Sequence, residues 1–264
     1  MLTSLTTGEQ LRSTVSSTNL RSHSSSVDVT NLKFSWKKEM SPTLSIRKFT
    51  VNRGEKLFLE GPSGCGKSTF ISLLAGVNKA TSGTVSILGH QLKNMNGAER
   101  DAYRADHIGV IFQMFNLLPY LTVIENVTLP CIFSKHRRQR ALENTGDMKS
   151  EAIRILGRMG LGDPAILKQP VTDLSIGQQQ RVAAARALMG QPELIIADEP
   201  TSSLDAANRE LFINLLFEEC ERCGSSLFFA SHDALLASRF DRAITFDEIN
   251  AVQDTSCSAI KEVA

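Results

Sequence analysis

The residues best placed to do chemistry form one stretch, Gly61-Pro62-Ser63-Gly64-Cys65-Gly66-Lys67-Ser68-Thr69. It fits G-x-x-x-x-G-K-[ST], the pattern of a loop that wraps a polyphosphate. Glycine at 61, 64 and 66 opens backbone conformations closed to residues with a Cβ, so that successive N–H groups can converge on an anion. A helix starting directly after the loop adds its unpaired N–H groups and positive dipole end. Lys67 would reach the β- and γ-phosphates, and the Ser68 hydroxyl would ligate Mg²⁺, an oxygen-seeking cation.

Two further groups narrow the chemistry, because a phosphate loop alone leaves kinases, GTPases and ATPases open. The apolar run Leu194-Ile195-Ile196-Ala197 ends in Asp198-Glu199. A carboxylate at the end of a buried strand is the form a Mg²⁺ partner takes, which assigns Asp198. Glu199 is turned the other way by strand alternation, and could polarise a water attacking the γ-phosphate. In Leu174-Ser175-Ile176-Gly177-Gln178, ahead of the Ala-rich run at 183–189, Ser175 and Gly177 fall at a helix N-terminus. That is a second phosphate-seeking helix end, ~110 residues after the first.

The elements that must hold these groups are legible as apolar patterns. Residues 27–36, 43–51 and 56–60 read as strands with turns at Ser41-Pro42 and Asn52-Arg53-Gly54, and residues 70–76 read as the helix after the loop. Residues 83–89 and 107–112 read as further strands. The short apolar runs at 194–197 and 226–230 suit strands of a parallel sheet covered on both faces. Between 114 and 172 the spacing turns helical, at 121–129 and 150–161, and predicts a helical insertion. The basic stretch 135–140 reads as a solvated loop within it.

Bulk properties exclude several classes. The 264 residues are 42% hydrophobic and 22% charged, enough for a substantial core. A net charge of +1 argues against a basic nucleic-acid surface. No apolar run approaches the ~18 residues that cross a bilayer, and no secretory signal pattern opens the chain, so it is read as soluble. Five scattered cysteines indicate a reducing compartment. Of these, Cys220 and Cys223 fall in a helix-like run and read as packing, and Cys65 reads as a small residue that fits the loop. Residues 1–26 hold eight serines and five threonines with little apolar surface, and are expected to be a disordered tail. Residues 251–264 are expected to be a polar C-terminal tail.

Taken together, the ordered motifs resemble those of the ATP-binding subunit of an ABC transporter over roughly residues 28–250. Residues 61–69 match the Walker A motif, 194–199 the Walker B and 174–178 the signature. Gln113 matches the Q-loop glutamine, Ser202-Ser203-Leu204-Asp205 the D-loop, and Ser231-His232-Asp233 the switch histidine. Trp36 falls where the family places an aromatic against adenine. The stretch from Phe115 to Pro130 is similar to the segment after the Q-loop in the lipoprotein-release and macrolide-export branch, where a permease helix docks. Ile176 and Ser203 depart from the usual Gly and Ala, and Asp247-Glu248-Ile249-Asn250 lacks the Gly usual in the final hairpin.

The resemblance implies a fold, a site and partners. The fold is α/β: a P-loop core with a mostly parallel central sheet, an N-terminal antiparallel β lobe and a helical insertion, within one ATP-binding domain over 27–250. The implied catalytic residues are Glu199, His232 and Gln113, with His232 sensing the γ-phosphate. Trp36, Gly61, Ser63, Gly64, Cys65, Gly66, Lys67, Ser68, Thr69, Ser175, Gly177, Gln178 and Asp205 contact ATP. Ser68, Gln113 and Asp198 hold Mg²⁺. Partners are a second copy of the chain, sandwiching two ATP, and a transmembrane permease at the cytoplasmic face of the cell membrane; nucleic acid is not expected. Export or lipoprotein extraction is the implied task, and mechanical regulation of an envelope complex is the alternative.

Overall fold

The computed structural model describes residues 25–37 and 41–252. Most of the expected N-terminal tail and nearly all of the C-terminal one therefore lie outside the described residues. Strand β1, Ser25–Phe34, starts two residues earlier than the strand expected from residue 27 and takes in the last two residues of that tail. Ser26 is buried and its hydroxyl meets that of Ser226 at 2.5 Å, so the strand is anchored from its second residue.

Two sheets share the work. β1 pairs antiparallel with β2, Leu44–Asn52, and β4, Ser82–Ile87, which in turn pairs with the short β5, His90–Gln91. The second sheet is fully parallel, in the order β6-β7-β8-β3-β9, with β3 at Lys56–Glu60, β6 at Ile108–Ile111, β7 at Leu194–Asp198, β8 at Ser226–Ser231 and β9 at Arg242–Thr245. Alternation splits its side chains between two cores. Leu57, Leu59, Ile196, Phe228 and Ala230 face the antiparallel lobe and α1, Lys67–Leu74. Phe58, Ile195, Ala197, Leu227 and Phe229 face the helical side.

That side is built from α3 (Val123–Thr128), α4 (Pro130–Phe133), α5 (Lys135–Thr145), α6 (Met148–Arg158) and α7 (Pro164–Leu167), with α8 (Ile176–Leu188) and α9 (Ala206–Cys223) against the sheet. α2, Gly97–His107, joins the two sheets, and His107 closes this helix instead of opening β6 as the pattern suggested. The basic stretch 135–140 is not a loop. Ser134 caps α5, and Arg137 is buried, donating to the carbonyls of Ala187 and Met189 at the end of α8. A long side chain buried for its packing and its donors defeats a reading based on charge alone. Burial pushes the Arg137 guanidinium down to about 10.

The C-terminal end, which lacks the hairpin glycine, forms a short helix, α10 (Phe246–Ile249). Asn250 and Ala251 bond to Ser45 and Thr43 of the antiparallel lobe. Phe246 is buried against the phosphate loop. No helix among the described residues is long and apolar enough to cross a membrane.

Candidate active site

β3, the phosphate loop and α1 follow one another in the order the loop requires. Gly66 is the hinge, with a left-handed φ of 112° at the N-cap of α1. A Cβ there would stand 3.2 Å from Leu44, so glycine is required both for the torsion and for the space. Lys67 is 95% buried, and its ammonium donates to the carbonyls of Gly61 and Pro62 at 2.5 and 3.0 Å. A phosphate oxygen can take over those contacts without moving the lysine far.

Glu199 projects from the end of β7 beside it. Its Oε1 is 3.3 Å from Lys67 Nζ, and its Oε2 meets His232 Nδ1 at 2.8 Å and accepts from Ser231 at 3.3 Å. The residue has φ 47°, a left-handed conformation unusual for glutamate that turns its carboxylate out of the sheet and over the loop. Ser63, Gly64, Gly66, Lys67, Ser68, Thr69, Gln113, Glu199 and His232 thus line one cavity of about 230 Å³. It has fixed donors along one wall and a carboxylate facing them, an arrangement able to hold a terminal phosphate and orient a water against it.

Asp198 lies deeper. Burial pushes its carboxyl up, aided by the charge of Glu199 and opposed by a Ser68 hydrogen bond and Lys67. Asp198 Oδ1 is buried with no hydrogen-bond partner. An unpaired carboxylate oxygen beside a hydroxyl is a hard-oxygen pair that fits Mg²⁺. Cys65 does not line the cavity. Its Sγ packs against Gly61, and burial raises its thiol despite the nearby Lys67, in keeping with a small residue that fits.

The remaining predicted residues stand elsewhere. Ser175 caps α8 through a reciprocal pair with Gln178: Gln178 N–H donates to Ser175 Oγ at 3.3 Å, and Ser175 N–H to Gln178 Oε1 at 2.9 Å. Gly177 follows in the first turn, and Ile176 is 57% exposed. Asp205 caps α9 through Asn208, whose bonds hold its carboxyl below the usual range. Trp36 is 62% exposed, its ring edge-on to Phe34. None of these reaches the cavity lining.

Sequence reasoning missed two supports. Arg186, in the last turn of α8, donates to the carbonyls of Phe115 and Asn116 at 2.6 Å each. Both acceptors have left-handed φ, 58° and 49°, just after Gln113. Arg209 pairs with Asp233 beside His232. A basic residue near a helix C-terminus was the available signal for Arg186, but its partner loop cannot be found from spacing.

The family described as ABC transporter matches residues 44–202. The chain is 40% identical over 197 residues to the Escherichia coli K12 ABC transporter ATP-binding protein YbbA, covering 75% of this chain and 82% of that one. It is 34% identical over 235 residues to the Zymomonas mobilis lipoprotein-releasing system ATP-binding protein LolD, covering 88% and 97%. A dimeric bacterial ABC transporter cassette superposes with a TM-score of 0.71 at 32% identity, over 83% of this chain and 93% of the other. A post-hydrolysis dimeric cassette bound to ADP and Pi gives 0.69 at 34%.

Proposed function

From the premise that the chain belongs to the ABC transporter family and is an ATP-binding cassette with ATPase activity, we propose that it works as an ATP-closed homodimer driving a separate membrane permease. In this reading each ATP lies in the cavity of one copy, with Trp36 against adenine, and is covered by Ser175, Gly177 and Gln178 of the other. The exposure of the α8 N-terminus, away from its own phosphate loop, supports this division. Ser68, Gln113 and Asp198 would hold Mg²⁺, which supplies charge neutralisation on the phosphates. Glu199 orients the attacking water, His232 faces the γ-phosphate, and Asp205 lies at the junction between copies.

One observation carries the permease reading. An apolar groove of about 410 Å³ runs between α2, β6, α4 and α8, lined by Val110, Phe112, Leu129, Pro130 and Phe133, and it ends beside the turn that follows Gln113. Phe133 in its lining is 74% exposed, and Met114, in the turn after Gln113, is 80% exposed. An apolar patch of this kind marks an interface, and a groove this shape suits an amphipathic helix. The groove takes Asn116, Leu129 and Pro130 from the stretch expected to receive a permease helix, while Val123 and Val127 of α3 turn into the core. The chain would then sit peripherally at the cytoplasmic face of the cell membrane. Likeness to the LolD proteins supports export or lipoprotein extraction as the task. Capture of a permease from the organism's own membranes by the tagged chain, lost on Phe133→Asp while ATP binding persists, is the expected result. Capture unaffected by that change would remove the groove from the interface.

A further inference from the structure

The opposite end of the parallel sheet carries a second cluster of ligating side chains. His107 closes α2, His136 lies in the first turn of α5, and Glu193 immediately precedes β7. Asp198 ends that same strand, so the cluster stands roughly 17 Å from the nucleotide cavity, at five strand residues. It shares no residue with that site.

The separations are those of a metal site slightly relaxed. His107 Nδ1 is 3.1 Å from Glu193 Oε2, and His136 Nε2 is 3.8 Å from Glu193 Oε1. One ligand atom from each of the three residues lies within 4.8 Å of the others. A tetrahedral ion with bonds of ~2.1 Å spaces its ligands about 3.4 Å apart, so the three atoms would draw together slightly on binding, the ion replacing the His107–Glu193 hydrogen bond. His136 Nε2 is buried and has no hydrogen-bond partner, although its side chain is partly open to solvent, which leaves a route for an ion. A buried nitrogen without a partner is uncommon, and an electron-pair acceptor would satisfy it. Arg140 donates to Glu193 Oε1 at 2.7 Å and also bonds the Gln191 carbonyl, which fixes the carboxylate as outer partners of metal ligands do. The Tyr103 ring packs on His107 at 4.5 Å between centroids and limits its rotation.

We propose that His107, His136 and Glu193 bind one divalent transition-metal ion of the zinc type, with water in the fourth position. Two imidazoles with one carboxylate select such an ion over Mg²⁺ or Ca²⁺, which prefer oxygen donors throughout. The ion ties α5 of the helical insertion to α2 and to the strand that carries Asp198 and Glu199. Its effect is on the rigidity of that junction, since no ligand touches the reacting phosphate.

The test is calorimetric titration of Zn²⁺ alone into the full chain, with excess Mg²⁺ occupying hard-oxygen sites. One Mg²⁺-resistant equivalent is expected, together with a rise in Tm. His136→Ala removes no existing hydrogen bond and should weaken binding at least tenfold and abolish the Tm rise. His107→Gln, which keeps a polar side chain of similar reach, should do the same and provides a second folded variant. Absence of a Mg²⁺-resistant equivalent in the unaltered chain, or undiminished binding in both variants, overturns the proposal.

Discussion

Lys67, Glu199 and His232 line up across the mouth of the cavity, with Glu199 bridging the other two at 3.3 and 2.8 Å. Removing Lys67 leaves the buried Glu199 carboxylate without its cationic partner, a change with consequences for binding as well as for rate. Lys67→Ala should abolish ATP binding, read by fluorescent-nucleotide titration. Glu199→Gln keeps the shape and the contact with His232 but cannot accept a proton; it should bind ATP normally while turnover falls by about 10² to 10⁴. Normal hydrolysis in that variant would remove Glu199 as the base. The left-handed backbone at Glu199 breaks the strand alternation just past the end of β7, so the apolar run could not show that this carboxylate would stand beside Lys67.

Among the elements, α8 has the widest reach. Its N-cap Ser175 is exposed, while its last turn presents Arg186 to the two strained residues after Gln113. Gly109 of β6 lets this helix approach: a Cβ there would fall 2.3 Å from the Ala187 carbonyl. Arg186→Ala should leave ATP affinity unchanged, lower turnover about tenfold through misplacement of Gln113, and speed amide exchange over residues 113–117. Unaltered exchange there would show that the turn holds itself. Elements that build the cavity were legible because their signals are local: the glycines of the loop and the apolar run before Asp198 and Glu199. The start of α8, outside the cavity, was legible in the same way from Ser175 three residues before Gln178. What was not legible depends on partners remote in sequence. Lys135 to Arg140 looked like solvated charge because nothing nearby announces that Arg137 reaches the end of α8, and His107 looked like strand because α2 runs directly into β6. The cluster of His107, His136 and Glu193 unites three distant positions and leaves no spacing to read.

For the whole molecule, the layout of the predicted site divides the chain into a face that holds phosphates and a separate face that could cover them. If two copies complete each other, Lys67→Ala and Ser175→Arg chains should each be inactive alone, and a mixture should regain ATPase activity, because the mixed dimer has one site with both halves intact. A mixture as inactive as its components would show that each chain works by itself. The length of α8 then gains a meaning beyond packing. Its thirteen residues make a strut of about 20 Å, too short and too well packed to bend appreciably. In the proposed dimer one end would meet a neighbour's nucleotide, and the other grips the turn at the edge of the apolar groove. In that dimer a rigid connection without slack would act as a coincidence detector: displacement at either end would be felt at the other in full, making occupancy of the groove and closure on nucleotide a single event.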